Sequence, residues 1–317
     1  MAERARSITV FGGTGFIGRH VVQRLAMRGD RVRIAVRRPD KGIFLKTLGE
    51  VGQIELVAAN LRNPESVARA AAGADAVVNC VGILFQSGSQ RFKAIHAEGA
   101  GLVAQAAASS GARAMVHVSA IGADANSSAA YARSKAAGEA AVTAAFPKAA
   151  ILRPSVVFGP DDQFFNRFAA LARLSPVLPL IGGGRTRFQP VYVGDVAAAV
   201  VAALDDPAAA GKIFELGGPR VYSFRDLMKI VLRETGRRRL LLSLPFALAM
   251  IQGLFFELLP TPPLTRDQVR LLRHDNVVNA ARPGLRELGI DPTPVEGTVE
   301  SYLFRFRRGG LRPARLA

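Results

Sequence analysis

Short apolar runs alternate with helical patterns through the first half of the chain. Ile8-Thr9-Val10-Phe11 reads as a strand. In residues 19–26, Val21, Val22 and Leu25 share one helical face. Residues 31–39 read as a second strand, stopped by Pro39. Residues 54–61 supply a third strand and its exit, 64–72 a short helix, and 74–82 a fourth strand. That fourth run is almost wholly apolar, as a strand covered on both faces should be. Phe92 to Ser110 reads as one long helix, 114–119 as a fifth strand, 131–145 as a helix and 149–157 as a sixth strand. This alternation, from residue 7 to about 158, predicts an α/β fold with a doubly wound parallel sheet of the Rossmann kind.

The pattern then changes. Pro176, Pro179 and Gly182 to Gly184 break any long element. Residues 188–193 read as extended, 196–204 as a helix, and Lys212 to Leu216 as a returning strand. Ser223 is placed to cap a helix from Phe224 to about Thr235. We therefore expect a nucleotide-binding domain over 1–217, with 159–192 reaching into a smaller, mainly helical domain over 218–317. Within the latter, Leu240 to Leu259 is nearly all apolar, and fourteen residues lie between Pro245 and Pro260. That is shorter than the ~20 residues needed to span a bilayer. The stretch suits a buried helix, one lying on a membrane surface, or one at a partner interface. Arg237, Arg238 and Arg239 precede it, and a basic tail from Arg305 to Arg315 is expected to be mobile unless docked.

Candidate chemistry begins at Gly12-Gly13-Thr14-Gly15-Phe16-Ile17-Gly18, between the first strand and first helix. That context turns a weak glycine pattern into a dinucleotide-site signal. Gly12 and Gly15 would take backbone angles closed to other residues. Gly18 would let the helix approach the strand, and the helix N-terminus would face a pyrophosphate. The second strand ends in Arg37 and Arg38, where an NAD site usually offers a carboxylate. Guanidinium groups there, with Arg19 beyond the last glycine, suit a 2′-phosphate, so NADPH is expected over NADH. Asn60, followed by Leu61, could accept from an adenine amino group. Cys80-Val81-Gly82, at the end of the fourth strand, should lie against the cofactor, with Cys80 a packed residue rather than a nucleophile.

Composition narrows the class. One cysteine excludes an internal disulfide, and the four histidines lack metal-ligand spacing, so no metal site is expected. The chain enters its first strand within ten residues, so no cleaved secretory signal is expected. The net charge of +17 is spread out: residues 1–160 carry 20 basic and 10 acidic groups, and 161–317 carry 22 and 15. No nucleic-acid arm stands out, and contact with anionic lipid or an acidic protein surface is the better match.

Several motifs then carry a resemblance. Besides the glycine turn they are Tyr131-x-x-x-Lys135, Leu152-Arg153-Pro154-Ser155-Val156-Val157-Phe158-Gly159-Pro160, the run at 191–197 and Phe214-Glu215-Leu216-Gly217-Gly218-Pro219. Together they resemble the short-chain dehydrogenase/reductase superfamily, extended or atypical branch. Segments 78–84, 117–123, 159–168 and 262–272 are similar to a narrower family, the nucleotide-binding accessory subunit nine of the complex I alpha subcomplex. The resemblance implies cofactor contacts at Gly12, Thr14, Gly15, Phe16, Ile17, Gly18, Tyr131, Lys135, Pro154, Ser155 and Val156.

In active members of the superfamily a tyrosine handles the substrate proton, a lysine one turn later lowers its pKa, and a hydroxyl polarises the carbonyl. Tyr131 and Lys135 share a helix face, and an ammonium nearby would favour phenolate. Ser119 ends the fifth strand, but the usual hydroxyl position two residues later is Ile121. The accessory family holds NADPH tightly and acts structurally, which implies complex I core subunits or another membrane-associated assembly as partners. It implies a peripheral place on the cytoplasmic side of the inner membrane, or on the matrix side in an organelle. The alternative is an active NADPH-dependent reductase or epimerase-like enzyme on a small or lipid-linked substrate.

Overall fold

The computed structural model describes residues 5–310. Its centre is a seven-stranded, all-parallel sheet. The strands are β1 (Ser7–Phe11), β2 (Arg31–Val36), β3 (Ile54–Ala58), β4 (Ala76–Asn79), β5 (Ala114–Val118), β6 (Ala150–Pro154) and, later in the chain, β11 (Ile213–Leu216). They lie in the order β11-β6-β5-β4-β1-β2-β3. The order reverses at β1, which places the switch point beside β4, where doubly wound sheets bind their ligands. The crossover helices are α1 (Phe16–Met27), α2 (Pro64–Ala71), α3 (Gly99–Ser109) and α4 (Ala130–Ala145). As expected, Val21, Val22 and Leu25 are fully buried.

Two crossovers depart from a plain helix. Residues 39–48 connect β2 to β3 in 3-10 turns. The long helix expected from Phe92 begins instead with a π-helical turn, Lys93–Glu98, before α3. The extra residue in that turn is invisible to a 3.6-residue pattern, and such turns gather at functional sites.

The chain divides into two compact units. The first comprises residues 1–154, 193–216 and 279–291, and so holds α6 (Val193–Asp205) as well as the sheet. The second comprises 155–192, 217–278 and 292–317. It contains three small sheets: β7 (Val157–Phe158) with β10 (Val191–Tyr192), β9 (Arg187–Phe188) with β12 (Tyr222–Ser223), and β8 (Val177–Ile181) with β13 (Leu240–Leu244). Its helices include α5 (Phe165–Leu174), α7 (Phe224–Glu234), α8 (Phe246–Phe256) and α9 (Arg266–Leu271). Ser223 caps α7 by accepting from the Asp226 N–H. Phe158, Phe165, Phe188 and Phe224 form the centre of this unit's core.

The apolar stretch 240–259 is not one helix. Its first five residues are strand β13, and most of its large side chains stay exposed, so it is not a core helix. Of the basic tail, Arg305 is docked on the Pro160 carbonyl and Asn166, and Arg307 on the Glu234 carbonyl. Residues 311–317, with Arg315, lie outside the described residues, as does the extreme N-terminus.

Candidate functional site

The glycine turn follows β1 and opens α1. Gly12 has φ +79°, a left-handed conformation, and a Cβ there would press on Val81 and the Cys80 carbonyl carbon at 3.0–3.1 Å. At Gly18 a Cβ would lie 2.2 Å from the Gly12 oxygen, so the helix meets the turn backbone to backbone. Gly15 behaves otherwise than expected: its φ is −75°, open to any residue. Its Cβ position meets only the Gly12 oxygen, at 3.1 Å, and is otherwise clear. The need for glycine there is space in front of the backbone, not angle. No side chain caps α1, and its first turn holds no acidic residue. By contrast α2, α7 and α9 are capped by Asn63, Ser223 and Thr265. The uncompensated positive end of α1 fits a diphosphate.

Around this turn the candidate side chains separate into groups. Thr14 is exposed, Phe16 and Ile17 are half-buried, and the Arg19 guanidinium lies 5.6 Å from the Phe16 ring centre. Arg37 and Arg38 are exposed past the end of β2, and Arg38 sits 3.8 Å from Asp40. The side-chain oxygen of Asn60 accepts from the Arg62 N–H, so part of its accepting capacity is spent on the local turn. Leu61 is a core residue under Gly99. Val81 and Gly82 follow β4, with Val81 N–H donating to Asn79. Cys80 remains partly open, but burial pushes its thiol up to about 12, which makes it a poor nucleophile. Pro154 ends β6 in the first unit and accepts from Ile121 N–H. Ser155 and Val156 belong to the second unit, where Asn276 engages both: Ser155 Oγ donates to its side-chain oxygen at 2.7 Å and Val156 N–H at 3.0 Å.

Tyr131 and Lys135 stand one turn apart on α4. The helix is fastened to β6 by Arg153, whose guanidinium forks onto Glu139 at 2.8 and 2.6 Å. Lys135 is buried and donates to the Val118 carbonyl at 3.2 Å. Burial pulls its ammonium down to about 8, against the opposing field of Glu139. Tyr131 does not show the expected phenolate bias: burial pushes it up to about 12. Ser119, just past the end of β5, is buried, and its Oγ finds no hydrogen-bond partner.

Four further polar residues, to which the sequence motifs assign no role, complete this cluster. His96, set by the π-helical turn, accepts from the Ile83 N–H through Nε2 at 2.9 Å. Its Nδ1 therefore carries the proton and donates to Ser134 Oγ, 2.9 Å away, and Ser134 donates to the Tyr131 carbonyl. The imidazole stacks on Phe92 and meets the Tyr131 ring edge-on at 5.5 Å. One neutral ring thus ties the loop after β4 to the turn that carries Tyr131 and Lys135. Asn79, its oxygen taken by Val81, donates to His117 Nδ1 at 3.2 Å, leaving Nε2–H of His117 buried without a partner. Burial, then the charge of Lys135, holds both histidines down at about 3. The only signal in the chain was a polar residue inside an otherwise apolar strand, as at His117 in Met115-Val116-His117-Val118. Among the described residues no group of side chains is arranged to hold a metal.

The comparisons with known proteins agree with this geometry. The model of the NAD dependent epimerase/dehydratase family matches residues 8–217. The NADH dehydrogenase (ubiquinone) 1 alpha subcomplex subunit 9 of Arabidopsis thaliana, a mitochondrial protein, is 36% identical over 95% of this chain and 78% of its own length. The chain belongs to this family. Subunit 9 proteins are therefore its relatives within the wider epimerase/dehydratase group, and the chain is an NAD(P)-binding protein of Rossmann fold. A ceramide reductase of Caulobacter vibrioides is 35% identical over 77% of this chain and 76% of its own. Among solved structures, a dTDP-glucose 4,6-dehydratase from Streptomyces venezuelae with NAD bound superposes with a TM-score of 0.72 at 21% identity, covering 97% of this chain and 99% of that one. No described helix is long and apolar enough to cross a membrane.

Proposed function

We propose that the protein is an NADPH-holding accessory subunit of respiratory complex I or of a related membrane-peripheral assembly, on the cytoplasmic or matrix face. The observation that carries this reading is the match to a subunit 9 protein over 95% of this chain and 78% of that protein. One residue of the site supports it: the expected hydroxyl position is occupied by Ile121. Gly12 to Gly18 and the start of α1 would hold the diphosphate, Cys80 to Gly82 would face the nicotinamide half, and Lys135 would reach its ribose. Arg37 and Arg38 would hold the 2′-phosphate and set the preference for NADPH. Purification from native membranes tests the reading: complex I subunits should co-elute with the protein, and their absence overturns it.

A second reading is favoured by a different observation. Tyr131 and Lys135 are both present, on one face of α4, in a chain 35% identical to a ceramide reductase. On that reading the protein reduces a lipid-linked carbonyl with NADPH as hydride donor. Tyr131→Phe separates the two. Complex I assembly in a complemented deletion strain should be unchanged if the role is structural. Loss of biological function with normal NADPH affinity would establish the enzyme instead.

A further inference from the structure

We infer that the surface formed by β13 and α8 seats on an anionic lipid bilayer, with α8 lying in the plane of the headgroups. This deepens the membrane-peripheral part of the proposed function and is independent of turnover at Tyr131. The argument starts from Phe246-Ala-Leu-Ala-Met-Ile-Gln-Gly-Leu-Phe-Phe256, a helix apolar on every side. Such a helix is ordinarily enclosed. Here only Ala249 and Gly253 are buried. They lie four residues apart on one face, and Gly253 packs where a Cβ would come within 3.0 Å of the Arg266 nitrogen. Small residues thus fix the helix along one narrow edge. Leu248, Ile251 and Phe255 recur along another stripe and are 53%, 54% and 64% exposed, and Leu258 beyond them is 83% exposed. In β13 the alternation of the strand turns Leu240 and Leu242 outward as well.

The charges around this surface select the partner. The second unit holds nineteen Lys and Arg against nine Asp and Glu, so it carries +10 of the chain's +17. Arg237, Arg238 and Arg239 lead into β13, and Arg273 stacks on Phe246 at the start of α8, 5.3 Å from the ring centre. Arg237 is disfavoured by burial and then by the fields of Arg239, Arg308 and Arg173, a cluster that repels itself and gains from any anionic surface. The single acidic residue between 240 and 259 is Glu257, and it is neutralised by Arg266 at 2.8 Å. Along β13 and α8 the exposed polar side chains are Ser243 and Gln252, so the surface gives a protein partner little to hydrogen-bond, whereas acyl chains require nothing of the kind. Eleven residues at about 1.5 Å each are too short for a hydrocarbon core of about 30 Å, which leaves the interfacial orientation.

The test uses the purified full chain and co-sedimentation with vesicles of phosphatidylcholine, with or without phosphatidylglycerol. Binding should be about tenfold tighter or more to the anionic vesicles and should weaken with added salt. Ile251→Asp with Phe255→Asp should reduce it by a similar factor at an unchanged melting temperature, and Arg238→Glu should weaken binding to the anionic vesicles only. Should the double variant fail to fold, the lipid and salt comparison on the wild type still decides. Equal binding to both vesicles, or none to either, overturns the inference. So does a dimer in sedimentation that Arg238→Glu leaves intact and vesicles do not dissociate, since a second copy would then cover the face. Vesicle binding without co-eluting complex I subunits defeats the accessory reading alone, and co-elution without vesicle binding defeats this one alone.

Discussion

The first unit hides polar groups and the second displays apolar ones. Under the loop after β4, His96, His117, Ser119, Ser134 and Lys135 are all buried, and two of their polar atoms find no partner. Along β13 and α8, leucine and phenylalanine side chains stand in water. Each arrangement is costly for a folded chain in isolation, because an unmet buried donor and an uncovered apolar face both raise its free energy. The two differ in what would relieve them: a polar partner for single buried atoms, or a broad surface for the exposed apolar side chains.

The sharpest way to break this contrast is at Gly18. A valine there would put a Cβ 2.2 Å from the Gly12 oxygen and 2.8 Å from the Gly13 Cα, backbone atoms that cannot swing aside as a side chain would. Gly18→Val should cost more than about 4 kcal/mol and abolish cooperative melting, as the severest core changes do. Ile251→Asp, at the exposed face, should shift the melting temperature hardly at all. If both variants melt alike, the two regions are not the opposites described here.

Acid gives the next largest effect. His96 and His117 titrate near 3 in the folded chain and near their ordinary value of 6.5 when unfolded. Between those values the unfolded state binds more protons, so stability falls as pH falls. By pH 5 the loss should be about 2 kcal/mol for each histidine. Unfolding in urea between pH 7 and 5 measures this above the range where most carboxylates titrate. His96→Gln can keep both hydrogen bonds and should halve the slope. A flat profile would mean that the cluster is wet.

Ligand effects are smaller. NADPH at a hundredfold excess over Kd should stabilise the wild type by about 2.7 kcal/mol. Gly15→Val should remove that increment and cost the unliganded chain about 1 kcal/mol, since Gly15 is the N-cap of α1 and a Cβ there meets the Gly12 oxygen at 3.1 Å. Arg37→Asp should weaken NADPH binding about tenfold or more and spare NADH, measured by titration calorimetry. Equal affinity of the wild type for both cofactors would remove the assigned role of Arg37 and Arg38.

The sheet was legible in the chain because its signal is local. Each strand from β1 to β6 is a short apolar run, and the glycine turn sits where strand periodicity gives way to helix periodicity. The buried cluster was not, because its partners are far apart in sequence. His96 meets Ile83 and Ser134, and His117 meets Asn79 only through the pairing of β4 with β5. The insertion in the π-helical turn that aims His96 leaves no mark in composition. For 240–259, the chain announced an apolar surface and could not say whether anything of its own covered it, since burial is a property of the packed unit. Nor did the run reveal its division at Pro245, where leucines that serve a strand as readily as a helix pair with β8.

The segment 279–291 has a consequence for biosynthesis. It returns to the first unit, where Glu215 of β11 accepts from the Asn279 N–H at 2.8 Å, lies 3.5 Å from Arg282, and donates its own N–H to the Pro283 carbonyl. Glu215 also meets Arg153 of β6, the residue that fastens α4. A ribosome delivers residues in order, and domains often fold as they emerge. Here the edge of the parallel sheet waits for residues made more than sixty positions after its last strand. The nascent first unit leaves this edge of β11 unmet until residues 279–291 have been synthesised, an interval in which a chaperone has a defined edge to protect.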